Sequence, residues 1–169
     1  MHRLTFDCLF DIIKLLSNDA TSLHSYLLVN RIWFSVSVQF LWTRIQNYGT
    51  FLACLPEESK ERLLIPTYHP ICNYATYVKC FSLNDLYECA NLIVGGLSRN
   101  DKVINVMNEI FIMFKNQMTL KELDFYNTRH MSFIRFSYFP SELLDGFKNV
   151  STLRCNSKLP HQFYHSLSF

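Results

Sequence analysis

Histidine and cysteine are the side chains of this sequence that could bind a metal ion or act as a nucleophile. His161 and His165 are four residues apart and could share one helix face, but no glutamate or third ligand is near them, so we interpret them as surface histidines. Cys72 lies close to His69, but a reactive thiol also needs an electropositive pocket. The sequence therefore predicts no catalytic residue and no metal site, with an enzyme that uses Cys72 or Cys89 kept as an alternative.

A glycine-rich loop that binds phosphate would be a further chemical signal in a sequence. Gly95-Gly96 is a pair of adjacent glycines, but its surroundings match neither GxGxxG nor GxxxxGK[ST]. No cofactor is therefore predicted.

The cysteines and the first residues indicate a compartment. The six cysteines show no CxxC pair and lie among apolar neighbours, as free cysteines do in packed interiors. Asp7 and Asp11 interrupt the apolar run that a secretory signal would need. A location in the reducing cytoplasm, the nucleus or both is therefore predicted.

Charge and hydropathy weigh against two classes of partner. Sixteen basic and fourteen acidic residues are mixed along the chain, without the basic stripe that nucleic-acid binding requires. The apolar stretch from Tyr26 to Trp42 contains Asn30, Arg31 and Gln39, and an arginine near the middle of a membrane span costs about 2.5–3.5 kcal/mol. We expect neither a nucleic-acid partner nor a membrane partner.

The N-terminal elements would position any binding surface. Apolar residues in the segment 5–16 recur at helical spacing and form a stripe about 120° wide. Asp19 or Thr21 can begin a second helix, and a third follows Asn30. The apolar positions are Phe6, Leu9, Ile12, Ile13 and Leu16, then Leu23, Leu27 and Leu28, then Val29, Trp33, Val36 and Phe40. Such a small three-helix unit buries little surface and usually needs a partner.

The order of these residues resembles the F-box family. The family opens with Leu-Pro, continues through an xELLxxIFxxL helix and LxLVCRxW, and closes with LW. The matching residues are Leu4, then Leu9, Ile12, Ile13 and Leu16, then Leu28-Val29-Asn30-Arg31-Ile32-Trp33, then Leu41-Trp42. Thr5 stands where the family has proline, and Asn30 stands where it has cysteine.

The resemblance implies a non-catalytic subunit of an SCF-type ubiquitin ligase. An F-box docks on the Skp adaptor, which joins a cullin scaffold, while the remainder of the chain holds a protein substrate. The implied adaptor-binding residues are Leu4, Thr5, Leu9, Ile12, Leu16, Leu28, Val29, Trp33, Leu41 and Trp42. Of the large side chains Leu9, Leu28, Trp33 and Trp42, we expect about half to pack in the unit's own core and half to face the partner.

The second half of the chain has a different pattern. The pattern predicts helical structure over 47–66 and a strand over 77–83. It also predicts a helix over 84–98 that ends at Gly95-Gly96, and a helix over 102–117 whose apolar face packs in the core. Residues 120–125 and 150–155 share the LxxLxφ arrangement of leucine-rich repeats, and 77–82 is a degenerate copy. Between them, 133–139 predict a strand and 141–147 a short helix.

These patterns predict an α+β fold that is mainly helical. Residues 1–46 are the F-box, 47–73 a helical linker, and 74–169 a partial leucine-rich-repeat-like region with short parallel strands. No polar cap closes the last unit, so we expect either a truncated repeat array or a last unit that folds back differently. The alternative is a leucine-rich interaction scaffold that plays no part in ubiquitin transfer.

Overall fold

A computed structural model describes residues 5–66, 68–95, 100–117, 119–125 and 149–155. These residues form seven α-helices, a short 3-10 helix and three strands, so the predicted, mainly helical α+β class is confirmed. The helices are α1 (Phe6–Leu15), α2 (Ala20–Tyr26), α3 (Arg31–Leu41), α4 (Tyr48–Leu52), α5 (Glu57–Leu63), α6 (Leu83–Val94) and α7 (Asn100–Gln117). The 3-10 helix is Tyr74–Tyr77, and the strands are β1 (Cys80–Ser82), β2 (Glu122–Phe125) and β3 (Thr152–Cys155).

Side-chain caps determine where the first three helices begin. Thr5 Oγ1 accepts from the Cys8 amide at the start of α1, and Asp19 accepts from the Ser22 amide at the start of α2. Asn30 Oδ1 accepts from the amides of Ile32 and Trp33, at 2.9 and 3.1 Å, and so begins α3 at Arg31.

The boundary between α2 and α3 differs from the predicted pattern. α2 ends at Tyr26, and Leu28 and Val29 lie in the turn that follows rather than on a helix face. The amides of Leu28 and Val29 donate to the carbonyls of Ser25 and Tyr26, which closes the turn just before the Asn30 cap. Both side chains therefore leave the periodic apolar stripe.

The predicted linker, residues 47–73, packs into the core. Phe51, Leu52 and Leu55 are buried in the same hydrophobic cluster as residues of α1, α3 and α7. Glu109 of α7 accepts a 2.6 Å hydrogen bond from the Ser59 hydroxyl, which ties α5 to α7. The unit boundaries at 46 and 73 stay a prediction from the sequence, but the core is continuous across them.

Helices α6 and α7 follow their predicted patterns closely. Ser82 and Asp85 form a reciprocal capping box at the start of α6. α6 stops at Gly95, whose φ of 67° lies in the left-handed region that glycine adopts without strain. The predicted apolar face of α7 is core: Met107, Ile110, Phe111 and Phe114 are buried, and Val103 packs against them.

The three strands form one parallel sheet in the order β1-β2-β3. Phe81 pairs with Leu123, and Leu123 pairs with Leu153, so the predicted parallel arrangement of residues 120–125 and 150–155 is confirmed. The strand predicted over 77–83 is shorter, because Tyr74–Tyr77 form a 3-10 turn and β1 begins at Cys80. The predicted elements at 133–139 and 141–147 lie outside the described residues.

A repeated hydrogen-bond pattern links the end of α3 to the sheet. The Lys79 carbonyl accepts from the amides of residues 121 and 122, and the Lys121 carbonyl accepts from those of residues 151 and 152. The Thr43 carbonyl accepts in the same way from the amides of Lys79 and Cys80, both at 3.0 Å. The segment just after α3 therefore occupies the position of a strand before β1.

Burial follows the same repeat. Thr43, Lys79, Lys121 and Ser151 occupy equivalent positions in this repeat, and the residue before each of them is buried, namely Trp42, Val78, Leu120 and Val150. The residue two positions after each of them lies in or against the core, namely Ile45, Phe81, Leu123 and Leu153. The N-terminal helices and the sheet thus share one continuous interior.

Phe81 lies at the centre of this interior. Its ring centroid is 4.8 Å from that of Phe114, 6.1 Å from that of Phe51 and 6.4 Å from that of Phe111. These rings come from β1, α4 and α7, so one side chain connects three parts of the chain.

We expect Phe81→Ala to lower the free energy of unfolding by about 3–5 kcal/mol, since a buried aromatic ring is replaced by a cavity. The control Ile71→Ala removes a side chain that is 87% exposed and should change it by about 0.5 kcal/mol or less. Urea denaturation monitored by circular dichroism measures both. Similar midpoints for the two variants would contradict the central role of Phe81.

Candidate functional site

Helix α1 divides its predicted contact residues between core and surface. Leu9 is buried, Leu16 is half-buried at the C-cap, and Ile12 is 42% exposed. Thr5 is exposed and serves as the N-cap. Leu4 lies outside the described residues. Among the predicted apolar contact residues of α1 that the structure describes, Ile12 is therefore the one with an exposed side chain.

The turn between α2 and α3 presents its two apolar residues to solvent. Leu28 is 88% exposed and Val29 is 56% exposed. Beside the turn, the rings of Tyr26 and Trp33 lie 4.9 Å apart, which leaves Trp33 half-buried. The predicted contact residues Leu28, Val29 and Trp33 therefore lie close together along the chain at one accessible turn.

Leu41 and Trp42 lie on the opposite side of the unit, in the core. Both are buried, and the Trp42 ring stacks on Tyr74 with centroids 4.4 Å apart. With Leu9 also buried, these three side chains pack in the core in this conformation, and their role in adaptor binding stays a prediction. Of the four large anchors, Leu9 and Trp42 are core, Leu28 is exposed and Trp33 is intermediate.

Exposed apolar side chains concentrate in the N-terminal helices. Of the ten large hydrophobic residues that are exposed in the described part of the chain, six belong to residues 6–32. These six are Phe6, Ile12, Leu15, Leu28, Val29 and Ile32, and we call them the N-terminal apolar set. Phe6, Leu15 and Ile32 were not among the predicted contacts, although Ile32 stands inside the sequence motif that marks the turn. Exposed apolar side chains are typical of interaction surfaces where they form one contiguous patch.

The outward face of the parallel sheet is polar. Glu122 and Asp124 of β2 alternate with the inward Leu123, and Arg154 of β3 alternates with Leu153. Arg154 Nε lies 3.1 Å from Glu122 Oε1, and Arg44 Nη2 lies 3.9 Å from the same atom. That oxygen is buried and accepts no hydrogen bond, so both contacts are ion pairs without hydrogen-bond geometry.

Cys80 completes the central part of this face. Its thiol donates to Glu122 Oε2 at 3.4 Å. Burial raises the pKa of the Cys80 thiol, and the neighbouring Glu122 raises it further, so the neutral donor form is favoured. Partly exposed ion pairs contribute about 0–1 kcal/mol to stability, so this arrangement adds little to the stability of the fold.

The two thiols considered as nucleophiles are in apolar surroundings. Burial raises the pKa of the Cys72 thiol. Burial also raises the pKa of Cys89, which is fully buried, and the nearby Asp85 and Glu88 carboxylates add to that shift. Both shifts favour the neutral thiol, which is a poor nucleophile.

Within the described ranges, no three histidine, cysteine or acidic side chains converge as a metal site would require. His161 and His165 fall outside those ranges. No helix in the described part of the chain is both long and apolar enough to cross a bilayer.

Comparison with protein-family models, with curated proteins and with solved structures gives no match to this chain.

We expect alkylation of the native protein by iodoacetamide at neutral pH to modify the exposed Cys8 well before Cys72 or Cys89. A raised pKa lowers the thiolate fraction at pH 7, and burial blocks access. Mass spectrometry of digested samples would follow each site, with urea-denatured protein as the control in which the differences should disappear. Rapid modification of Cys72 or Cys89 in the native protein would instead favour the alternative that the chain is an enzyme with a cysteine nucleophile.

Proposed function

We propose that this chain is a substrate-recognition subunit of an SCF-type ubiquitin ligase that docks on a Skp adaptor through its N-terminal helices. The observation that carries the proposal is the N-terminal apolar set, six exposed side chains in α1, α3 and the turn before α3, within the segment whose residues match the F-box pattern in order. Burial of such a set against a partner would remove apolar surface from water at about 25 cal/mol per Å².

The geometry refines the roles of the matched residues within this proposal. Leu28, Val29 and Ile12 would contact the adaptor directly, because their side chains are accessible. Leu9 and Trp42 would act from inside, by holding α1 and the end of α3 in place. Central apolar anchors of this type dominate interface energies, while buried supports pre-organise them.

The sheet supports the second half of the proposal. Parallel strands that are neighbours in both sequence and space, with a repeated carbonyl pattern, resemble the start of a leucine-rich array. The polar outward face would present the substrate, and the adaptor would connect the chain to a cullin scaffold. The ubiquitin-transfer chemistry would lie elsewhere in the complex, in the cytoplasm or nucleus, so this chain would act by proximity.

A leucine-rich scaffold without a role in ubiquitin transfer is the second candidate. The observation that favours it is Thr5, which replaces the family's proline and acts as a side-chain cap for α1. Such a scaffold would share the sheet but would have no affinity for the adaptor. Adaptor binding therefore separates the two candidates.

We expect the full chain to bind purified Skp adaptor and Leu28→Asp to abolish that binding, because the aspartate would become an unpaired charge in an apolar interface. The matched control is Ile71→Asp, since Ile71 is 87% exposed and Leu28 is 88% exposed. Isothermal titration calorimetry measures each affinity. Equal binding by wild type and Leu28→Asp would remove this turn from the interface, and no binding by wild type would favour the scaffold.

Thr5→Pro tests the entry into α1. Thr5 has φ −68°, which proline adopts without strain, although the substitution removes the 3.4 Å cap to the Cys8 amide. We expect adaptor binding to tighten modestly, by about 1 kcal/mol or less. Thr5→Ala, which loses the cap without gaining the ring, is the control and should not tighten binding. A large loss of affinity for Thr5→Pro would show that this turn differs from that of the family.

A further inference from the structure

A cleft of about 370 Å³ opens between the α1–α2 turn and the C-terminal end of α3. Its floor includes Leu23 and Leu41, which are buried, and its polar lining includes Ser17, Asn18, Arg44 and Gln46. The volume lies near the lower limit of the range of about 300–1,000 Å³ found for ligand pockets. It therefore suits one or two side chains of a bound peptide.

Arg44 is the one charged side chain among the described residues that line this cleft. Asp19 lies next to two lining residues, but its carboxylate accepts hydrogen bonds from the Ser22 amide at 3.1 Å and the Ser22 hydroxyl at 2.6 Å. The lining therefore carries a single positive charge, accompanied by uncharged hydrogen-bonding groups.

The Arg44 guanidinium is only loosely held by the protein. Its side chain is 61% exposed, and its 3.9 Å separation from Glu122 Oε1 is too long for a hydrogen bond. Arg154 lies closer to the same oxygen, at 3.1 Å, and so takes the larger part of that carboxylate's charge. Arg44 thus presents the planar fork of donors that matches a carboxylate.

We propose that this cleft binds an acidic segment of a partner protein, with a glutamate or aspartate carboxylate paired to Arg44. One guanidinium balances one carboxylate, whereas a phosphate at neutral pH carries more charge than this lining offsets. The methylene groups of the bound side chain would lie on the apolar floor. That the segment belongs to a substrate rests on the function proposed above. The preference of the cleft for a carboxylate does not depend on that function.

Fluorescence anisotropy of a labelled peptide with two adjacent glutamates, titrated with the full chain at low ionic strength, tests the proposal. The matched peptide has glutamines at both positions. We expect the glutamate peptide to bind at least roughly tenfold more tightly than the glutamine peptide. The reason is that the glutamine peptide cannot form the charge-assisted pair with Arg44. Equal affinity for the two peptides, or no binding of either, would overturn the proposal.

Variants locate the binding. Arg44→Gln should weaken binding of the glutamate peptide about tenfold, while Arg31→Gln, an equal charge change at the exposed opposite end of α3, should alter it less than about twofold. Glu122→Gln should tighten binding roughly two- to fivefold, because the competing carboxylate is removed. Misfolding cannot produce that gain. Equal losses for the two arginine variants, or weaker binding by Glu122→Gln, would contradict the assignment.

The peptide assay contains no adaptor, so its outcome is independent of adaptor docking. Loss of adaptor binding in Leu28→Asp with peptide binding retained would support both proposals. Adaptor binding by a chain that binds neither peptide would overturn this inference alone.

Discussion

The Thr43 carbonyl holds the two halves of this molecule in register. By accepting from the amides of Lys79 and Cys80, it places the end of α3 beside β1, as the carbonyls of Lys79 and Lys121 place each later strand. It also covers the outer edge of β1, where unpaired amides would otherwise invite association with another chain. The neighbouring Trp42 stacks on Tyr74, so the same junction has both a polar and an apolar component. The helical unit and the sheet consequently share one hydrophobic core.

That junction determines how the N-terminal helices use their apolar residues. Three helices of seven to eleven residues cannot bury all of their hydrophobic side chains among themselves. The side of the unit that faces the sheet is covered by the rest of the chain, through Leu41 and Trp42. The other side keeps Leu28 and Val29 in water at a cost in free energy. Such a division is typical of a surface that a partner completes, and it supports the adaptor-docking proposal.

The polar groups divide in a similar way between structure and recognition. Ser59 and Glu109 form a short buried hydrogen bond that fixes α5 on α7, where an unpaired partner would be costly. On the sheet face, by contrast, Arg44 and Arg154 share the single carboxylate of Glu122 and remain more than half exposed. Pairs of this second kind contribute little to stability. Their side chains can therefore change partners when an acidic ligand arrives.

The sequence by itself predicted most of the helices and the parallel arrangement of residues 120–125 and 150–155, because these depend on local periodicity and on short motifs, whereas the Thr5 cap and the capping box of Ser82 and Asp85 were found in the structure. Asp19 as a cap and Gly95 as a stop were readable for the same reason. Only the tertiary structure decided which members of an apolar stripe face the core: Leu9 and Ile12 have similar side chains, but Leu9 is 2% exposed and Ile12 is 42% exposed. The strand-like role of Thr43 and the approach of Arg44 to Glu122 also required the fold. A backbone carbonyl has no sequence signature, and a contact across many residues depends on how intervening helices pack.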